Sequence, residues 1–359
     1  MFNYPSIGGI DTEGQGPPPF NPDNQPIPWN RGRPLSIISY TGGKAGLVPF
    51  LVPLVEWAGR EYNLDTFITA TGGACRVLLN LDPERLIYQR RIYSDLDYSL
   101  ACLFYVLTDE YQTKQLMKLL YSKSYCEKVF NDAKANLETD DKLIRQSRVD
   151  ELSEPVIAAA NMYISAKMSY AANLKSFNWE VAVIRMRSYY EGIKELPKFN
   201  SILSGVQIFR MDCNDLIHDV ETGKSGYDPN RTLIFCDVPY VLDKCLTKKH
   251  YKYFWSDHDH LRFRAGIENC QSRVIICGYE TPIYDYLIEK YPKRWHKVFL
   301  AWKHVSSANS RRSEAKFQKE FIYCNFPLSS EMQALIDVER TKRQKNLELD
   351  LIKDLEALQ

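Results

Sequence analysis

The sequence has no excess of either charge: 46 Lys and Arg stand against 45 Asp and Glu, a formal net charge of +1. That balance excludes a histone-like binder and an acidic disordered chain, and it leaves any nucleic-acid contact to local patches. Long apolar runs are missing too. The longest, Ala45 to Gly59, is interrupted by Pro49 and Pro53 and falls short of the roughly 18 residues a membrane helix needs. No basic and then apolar leader opens the chain, so neither a secretory signal nor a membrane anchor is expected. The nine cysteines are scattered singly, with no C-x-x-C pair. A disulfide framework or a zinc ribbon would look different, and a reducing, cytoplasmic setting fits. What remains is an ordinary globular composition, 45% hydrophobic and 25% charged over 359 residues, enough for one large domain or two medium ones.

Hydrophobic patterning divides the chain. Residues 1–34 are rich in Pro, Gly, Asn and Gln without periodicity and read as a flexible arm. Leu35–Ser39 reads as a short strand or extended entry, and Leu47, Phe50, Leu51, Leu54 and Val55 repeat at helical spacing. Thr66–Thr69 is a strand, Thr71-Gly72-Gly73 a tight turn, Val77–Leu81 the next helix, and Arg91–Tyr93 a strand ending at Ser94-Asp95. Residues 98–204 are mostly helical. Strand signals return at Val206–Phe209, Thr232–Cys236 and Arg273–Cys277, and Lys297–Ala301 with Glu320–Cys324 suits a hairpin. Strands alternating with helices predict a mostly parallel α/β sheet. The last segment, from Ser330, predicts one amphipathic helix, packed on its own domain or else forming a homodimer.

Asp237-Val238-Pro239-Tyr240 follows an apolar strand directly, where open α/β sheets place ligand crevices. A carboxylate and a backbone carbonyl there can both accept hydrogen bonds from an exocyclic amine, while the Tyr ring stacks on the base carrying it. Two such acceptors draw the amine out of conjugation and expose its lone pair to a methyl donor. The same tetrapeptide also suits a plain turn, with a β-favouring residue before proline. Ser256-Asp257-His258-Asp259-His260 invites a metal reading. However, S-x-x-D ahead of an apolar helix is a capping box, and no metal site is expected. Basic and aromatic residues interleave around Lys248 and Lys249, and a second basic cluster includes Arg311 and Arg312. Both suit DNA backbone contacts, or equally a solvated loop.

The order of these pieces resembles the Dam-type adenine-N6 DNA methyltransferases. Tyr40-Thr41-Gly42-Gly43-Lys44 resembles the family's A-G-G-K, followed by a strand with its Gly-rich turn at Thr71-Gly72-Gly73. Val77-Leu78-Leu79-Asn80 resembles V-x-L-N, and Ser94-Asp95-Leu96-Asp97 resembles N-D-x-N. Asp212-Cys213 stands for D-F, and Asp237-Val238-Pro239-Tyr240 for D-P-P-Y. Lys319–Asn325 looks like the closing strand, so the resemblance spans about residues 35–326. It implies a Rossmann-like methyltransferase sheet with a helical DNA-recognition subdomain. The divisions would be an arm at 1–34, a cofactor-binding part at 35–109, a target-recognition block at 110–204, a catalytic part at 205–328 and a C-terminal helix at 329–359.

The implied activity is methylation of the N6 amine of adenine in double-stranded DNA, with S-adenosyl-L-methionine as donor and the base flipped out. Tyr40, Gly42, Gly43, Lys44, Thr71, Gly72, Gly73, Asp95 and Asp212 would hold the donor. Bottom-up, Gly72 and Gly73 permit close backbone approach, and Asp95 stands where nucleotide-binding folds hold a ribose diol. Asp237, Val238, Pro239 and Tyr240 would be catalytic. Two departures concern the donor turn: Thr69 replaces the family's acid, and Cys75 replaces a glycine. Loose donor binding is therefore expected, which Thr69→Glu would tighten. The rivals are a non-catalytic DNA-binding relative, and an amine methyltransferase acting on RNA or a protein amide.

Overall fold

Every residue of β1 (Thr66–Thr69) is buried, and its side chains alternate between two separate cores. Phe67 belongs to one and Ile68 to the other. The same alternation sorts β2 (Arg90–Ser94), where Tyr93 and Ile92 part company, and β4 (Thr232–Cys236), where Leu233 and Phe235 face away from Ile234 and Cys236. Strands apolar on both faces need helices on both faces, which is the physics of a parallel sheet. The computed structural model describes residues 24–40, 44–85, 87–143, 154–170, 173–179, 182–241, 254–305 and 316–356.

With β3 (Val206–Phe209), β5 (Arg273–Tyr279), β6 (His296–Val305) and β7 (Lys316–Cys324), the strands form one seven-stranded sheet in the order β3-β2-β1-β4-β5-β7-β6. All neighbours are parallel except β7, which runs antiparallel to both β5 and β6. The mostly parallel sheet and the terminal hairpin read from the sequence are both present. Strand order reverses between β1 and β4, which lie side by side with Thr69 opposite Phe235.

One core is covered by α1 (Val48–Glu61), α2 (Arg76–Asn80), α3 (Tyr98–Val106) and the start of α12 (Ser330–Glu356). The other lies under α9 (Cys213–Glu221), α10 (Asp257–Ile267) and α11 (Pro282–Lys290). The helical block comprises α4 (Glu110–Tyr121), α5 (Glu127–Leu143), α6 (Pro155–Met168), α7 (Ala182–Lys194) and α8 (Lys198–Leu203). The run Ala158-Ala159-Ala160 on α6 is buried, and such small side chains let α3 and α5 approach its axis closely. Through α3 the block shares its core with one face of the sheet.

The N-terminal region bears on two of these readings. Leu35–Ser39 forms no strand. It is an irregular entry, bent at Ile37 and Ile38, and the Asn80 side-chain amide ties down its start. Its Oδ1 accepts from the Leu35 N–H at 2.9 Å, and its Nδ2 donates to the Leu35 carbonyl at 3.1 Å. The described part of the arm is also anchored. Asn24 is buried, accepts from Arg60 Nε at 2.7 Å and donates to Glu61 at 2.5 Å on α1. At the other end, Met332, Leu335 and Ile336 of α12 are buried in the first core. Arg340 and Arg343 donate to the carbonyls of Leu300 and Trp302, so this half of the helix packs on its own domain.

The capping box is formed: the Ser256 hydroxyl accepts from the Asp259 N–H, while the Asp259 carboxylate accepts from the Ser256 N–H at 2.8 Å. It launches α10, whose His260 is fully buried with Nδ1 2.8 Å from the Tyr284 hydroxyl. Burial lowers the His260 pKa to about 4. Unfolding lets this imidazole take up a proton below its usual 6.5, so its contribution is present above that value and is lost as pH falls from 6.5 towards 4. At about 1.4 kcal/mol per unit, the loss totals roughly 3 kcal/mol. Denaturant melts at pH 7 and pH 4.5 should show wild type losing markedly more stability on acidification than His260→Phe; equal losses would refute this assignment.

Candidate active site

The carboxyl ends of β1 to β4 lie along one edge of the sheet, and each leads into a loop bearing a residue singled out in the sequence. Thr71, Gly72 and Gly73 follow β1, Asp95 follows β2, Asp212 follows β3 and Asp237 follows β4. Where strand order reverses, the loops after β1 and β4 diverge and open a crevice. That crevice is a cleft of about 130 Å³. Its walls are Tyr40 and Lys44, the turn from Ala70 to Val77, Asp95, Asp212, and Asp237 with Pro239 and Trp255.

Its floor is the turn after β1. Gly72 donates to the Ser94 carbonyl at 2.7 Å, and a Cβ there would run into the Tyr93 ring and stand 2.9 Å from that carbonyl. Its missing side chain therefore serves packing between neighbouring strand ends, a different reason from the ligand approach expected of it. Gly73 has φ +53° with open space around it, so glycine is there for the left-handed backbone. Cys75, at φ +34°, also sits in that region, at the N-cap of α2. A glycine would adopt this conformation without strain, which explains the residue type the resemblance expects. The Cys75 thiol is buried against the Thr69 hydroxyl, and burial pushes its pKa up to about 12.

Asp95 is held by two backbone donors, the Gly73 N–H at 2.7 Å and the Asp97 N–H at 2.8 Å. They fix its carboxylate at the cleft wall, and each oxygen can accept more than one bond. The Thr71 hydroxyl oxygen, also in the lining, is buried and has no hydrogen-bond partner among the described residues. A polar ligand in the cleft would satisfy it. Asp212 caps α9 through the Asn214 N–H at 2.8 Å and pairs with Arg262 at 2.8 Å.

The loop after β4 carries the densest chemistry. Lys44 Nζ lies 2.5 Å from Asp237 Oδ1, with side-chain exposures of 4% and 23%. The same ammonium stands 4.6 Å over the Tyr240 ring. Tyr279, at the end of β5, stacks on the ring at 3.8 Å with 5° between the planes, and the phenol donates to Glu320 Oε1 at 2.5 Å. The Tyr240 side chain is therefore enclosed by Lys44, Tyr279 and Glu320. Val238 is buried and Pro239 lines the cleft. Trp255, one of the aromatics interleaved with the basic residues around Lys248, lines the cleft, whereas Arg76, Tyr279 and Glu320 escaped the sequence reading as site residues. Of these three, Arg76 alone carried a local signal, a cation next to the Gly-turn motif; burial lowers its pKa, and the Asp237 carboxylate works against that shift.

A family model described as D12 class N6 adenine-specific DNA methyltransferase matches residues 40–300. The chain belongs to that family. The seven-stranded sheet with its antiparallel hairpin is the Rossmann-like methyltransferase fold, and the activity is methylation of adenine N6 in DNA. The family's methyl donor is S-adenosylmethionine. Among curated proteins none matches the chain. The match speaks against the rival reading of an amine methyltransferase acting on RNA or a protein amide. Among the described residues no three His, Cys, Asp or Glu side chains gather as a metal site, and no helix is long and apolar enough to cross a membrane. Gly42, Gly43, Lys248, Lys249, Arg311 and Arg312 lie outside the described residues.

Proposed function

We propose that this methyltransferase binds S-adenosylmethionine in the cleft at the strand-order reversal and methylates an adenine flipped out of duplex DNA. The observation that carries this reading is the lining itself, which brings the glycine turn, Asp95 and the Asp237–Pro239 loop, far apart in sequence, around one cleft. The donor supplies an electrophilic methyl group. Asp95 accepts hydrogen bonds from its ribose hydroxyls, the Thr71 hydroxyl takes a polar group, and Tyr40 and the backbone of Gly72 and Gly73 border it. Gly42, Gly43, Lys44 and Asp212 complete the proposed donor site.

Asp237 and the Val238 carbonyl then accept from the adenine N6 hydrogens. Pro239 stiffens the loop, and Tyr240 offers a ring face. Because Tyr279 holds the other face, the base stacks on the side where Lys44 now stands. The Lys44 ammonium already makes the two contacts proposed for the target amine, one to the Asp237 carboxylate and one to the Tyr240 face. Binding of the flipped base therefore moves Lys44 aside. Positioning nucleophile and methyl group in line supplies the main rate advantage. The helical block at 110–204 reads the target, and Lys248, Lys249, Arg311 and Arg312 contact phosphates. A homodimer through α12 belongs to the same proposal.

Asp95→Ala is expected to weaken donor binding by about 1.5–3 kcal/mol, the range for hydrogen bonds to a charged group, or roughly 10- to 150-fold in Kd. Calorimetry with the donor measures this directly, and unchanged affinity would place the ribose elsewhere. Incubating donor with mixed-sequence duplex, single-stranded DNA and RNA, then quantifying N6-methyladenine by mass spectrometry, tests the substrate. Methylation confined to RNA or to single strands would overturn the duplex reading.

A further inference from the structure

Glu320 is fully buried on β7, an antiparallel strand outside the parallel part of the sheet that builds the cleft. A carboxylate taken out of water is costly unless it is paired and hydrogen-bonded, so its placement calls for an explanation. Its Oε1 accepts the Tyr240 phenol proton across 80 positions of sequence. The pairing of β5 and β7 sets Glu320 opposite Tyr279, the residue that stacks on Tyr240. One register thus supplies both supports of the Tyr240 ring, Tyr279 at its face and Glu320 at its hydroxyl. Burial lowers the pKa of Arg343 on α12, and the nearby Glu320 charge works against that shift. Arg343 also donates to the Gly46 carbonyl, two residues beyond Lys44.

We infer that Glu320 is a positioning residue: its carboxylate anchors the Tyr240 hydroxyl and so fixes the ring face on which the flipped adenine stacks. This rests on the reading of Tyr240 given above. A ring held at its face by Tyr279 alone slides or rotates in its plane. A hydrogen bond to the phenol removes that freedom and sets the distance between ring face and Asp237. A charge-assisted O–H···O⁻ bond is short and strong, which suits the task. Tyr240 touches the substrate in this scheme; Glu320 acts only through it.

The test is a cycle of Glu320→Ala, Glu320→Gln, Tyr240→Phe and the Glu320→Ala/Tyr240→Phe double variant, assayed for kcat, for KM of donor and DNA, and for melting. Misplacement of a contacting group by about 1 Å costs up to roughly 100-fold in rate. Glu320→Ala is therefore expected to lose about 10- to 100-fold in kcat, with donor KM little changed. Glu320→Gln should recover most of it, because the amide oxygen still accepts the phenol proton. Tyr240→Phe should lose about as much as Glu320→Ala, and the double variant no more than either. Should Glu320→Ala fail to fold, Glu320→Gln and Glu320→Asp carry the comparison, since the shorter carboxylate of Asp does not reach the phenol and should lose rate where Gln does not. Losses that multiply in the double variant, or Gln and Ala equally impaired in folded protein, would overturn the positioning role. Full activity in Tyr240→Phe together with wild-type rates in every Glu320 variant would instead remove the anchored Tyr240 from the mechanism.

Discussion

Asp237→Asn is expected to lower methylation by about 10³-fold, the scale on which loss of one preorganised polar contact to a reacting group is felt. Asn matches Asp in size, but its NH₂ confronts the target amine with a donor or, if flipped, leaves a neutral acceptor. The structure adds a second consequence. Lys44 is 4% exposed and its ammonium lies 2.5 Å from the lost charge, so the variant removes the carboxylate paired with a buried cation. Breaking a buried pair from one side costs about 3–5 kcal/mol, and the partial exposure of Asp237 sets this case near the lower end. Reduced turnover alone would therefore not separate chemistry from folding. Adding Lys44→Met to Asp237→Asn should restore melting towards wild type while turnover stays lost. Phosphate contacts lie elsewhere, so DNA binding should survive. Turnover within tenfold of wild type in Asp237→Asn would end the assignment of this carboxylate to the amine.

The parallel strands were legible because each is a short apolar run stopped by a polar turn, and the acids Asp95, Asp212 and Asp237 fall one to three residues past strand ends. Side chains buried on both faces write such runs directly into sequence. The pieces that escaped depend on partners distant in the chain. Leu35–Ser39 looks like a strand locally, but an Asn side chain 45 positions on takes up its first backbone bonds. Gly72 reads as a ligand-facing glycine, whereas the ring of Tyr93, brought alongside by the pairing of β1 with β2, leaves no room for a Cβ. Glu320 sits in a strand of otherwise ordinary pattern, and only the antiparallel register of β7 against β5 delivers it to the phenol of Tyr240. The family resemblance supplied the order and the chemistry expected at the loops; the geometry supplied the supports.

Thr69→Glu shows where resemblance and geometry part. Restoring the family's acid at this position carries the expectation of tighter donor binding. In the structure Thr69 is 1% exposed at the end of β1, its hydroxyl lies against the Cys75 thiol, and the lining of the cleft starts at Ala70. A glutamate there has two more heavy atoms to place among close-packed neighbours, at a cost of about 1–3 kcal/mol. It also takes a carboxylate out of water at a fully buried strand position, which adds several kcal/mol or forces the acid to stay protonated. The combined loss should be about 3–5 kcal/mol, enough to lower the melting temperature by roughly 10 °C. The sign with pH follows from linkage: a carboxyl whose folded pKa is raised is tolerated best below its unfolded value near 4.3, and its penalty grows as pH rises through the folded pKa. Thr69→Glu should accordingly melt further below wild type at pH 8 than at pH 5, and the folded fraction should bind donor no more tightly than wild type. Calorimetry showing higher donor affinity with an unchanged melting temperature would mean that the side chain at 69 reaches the cleft after all.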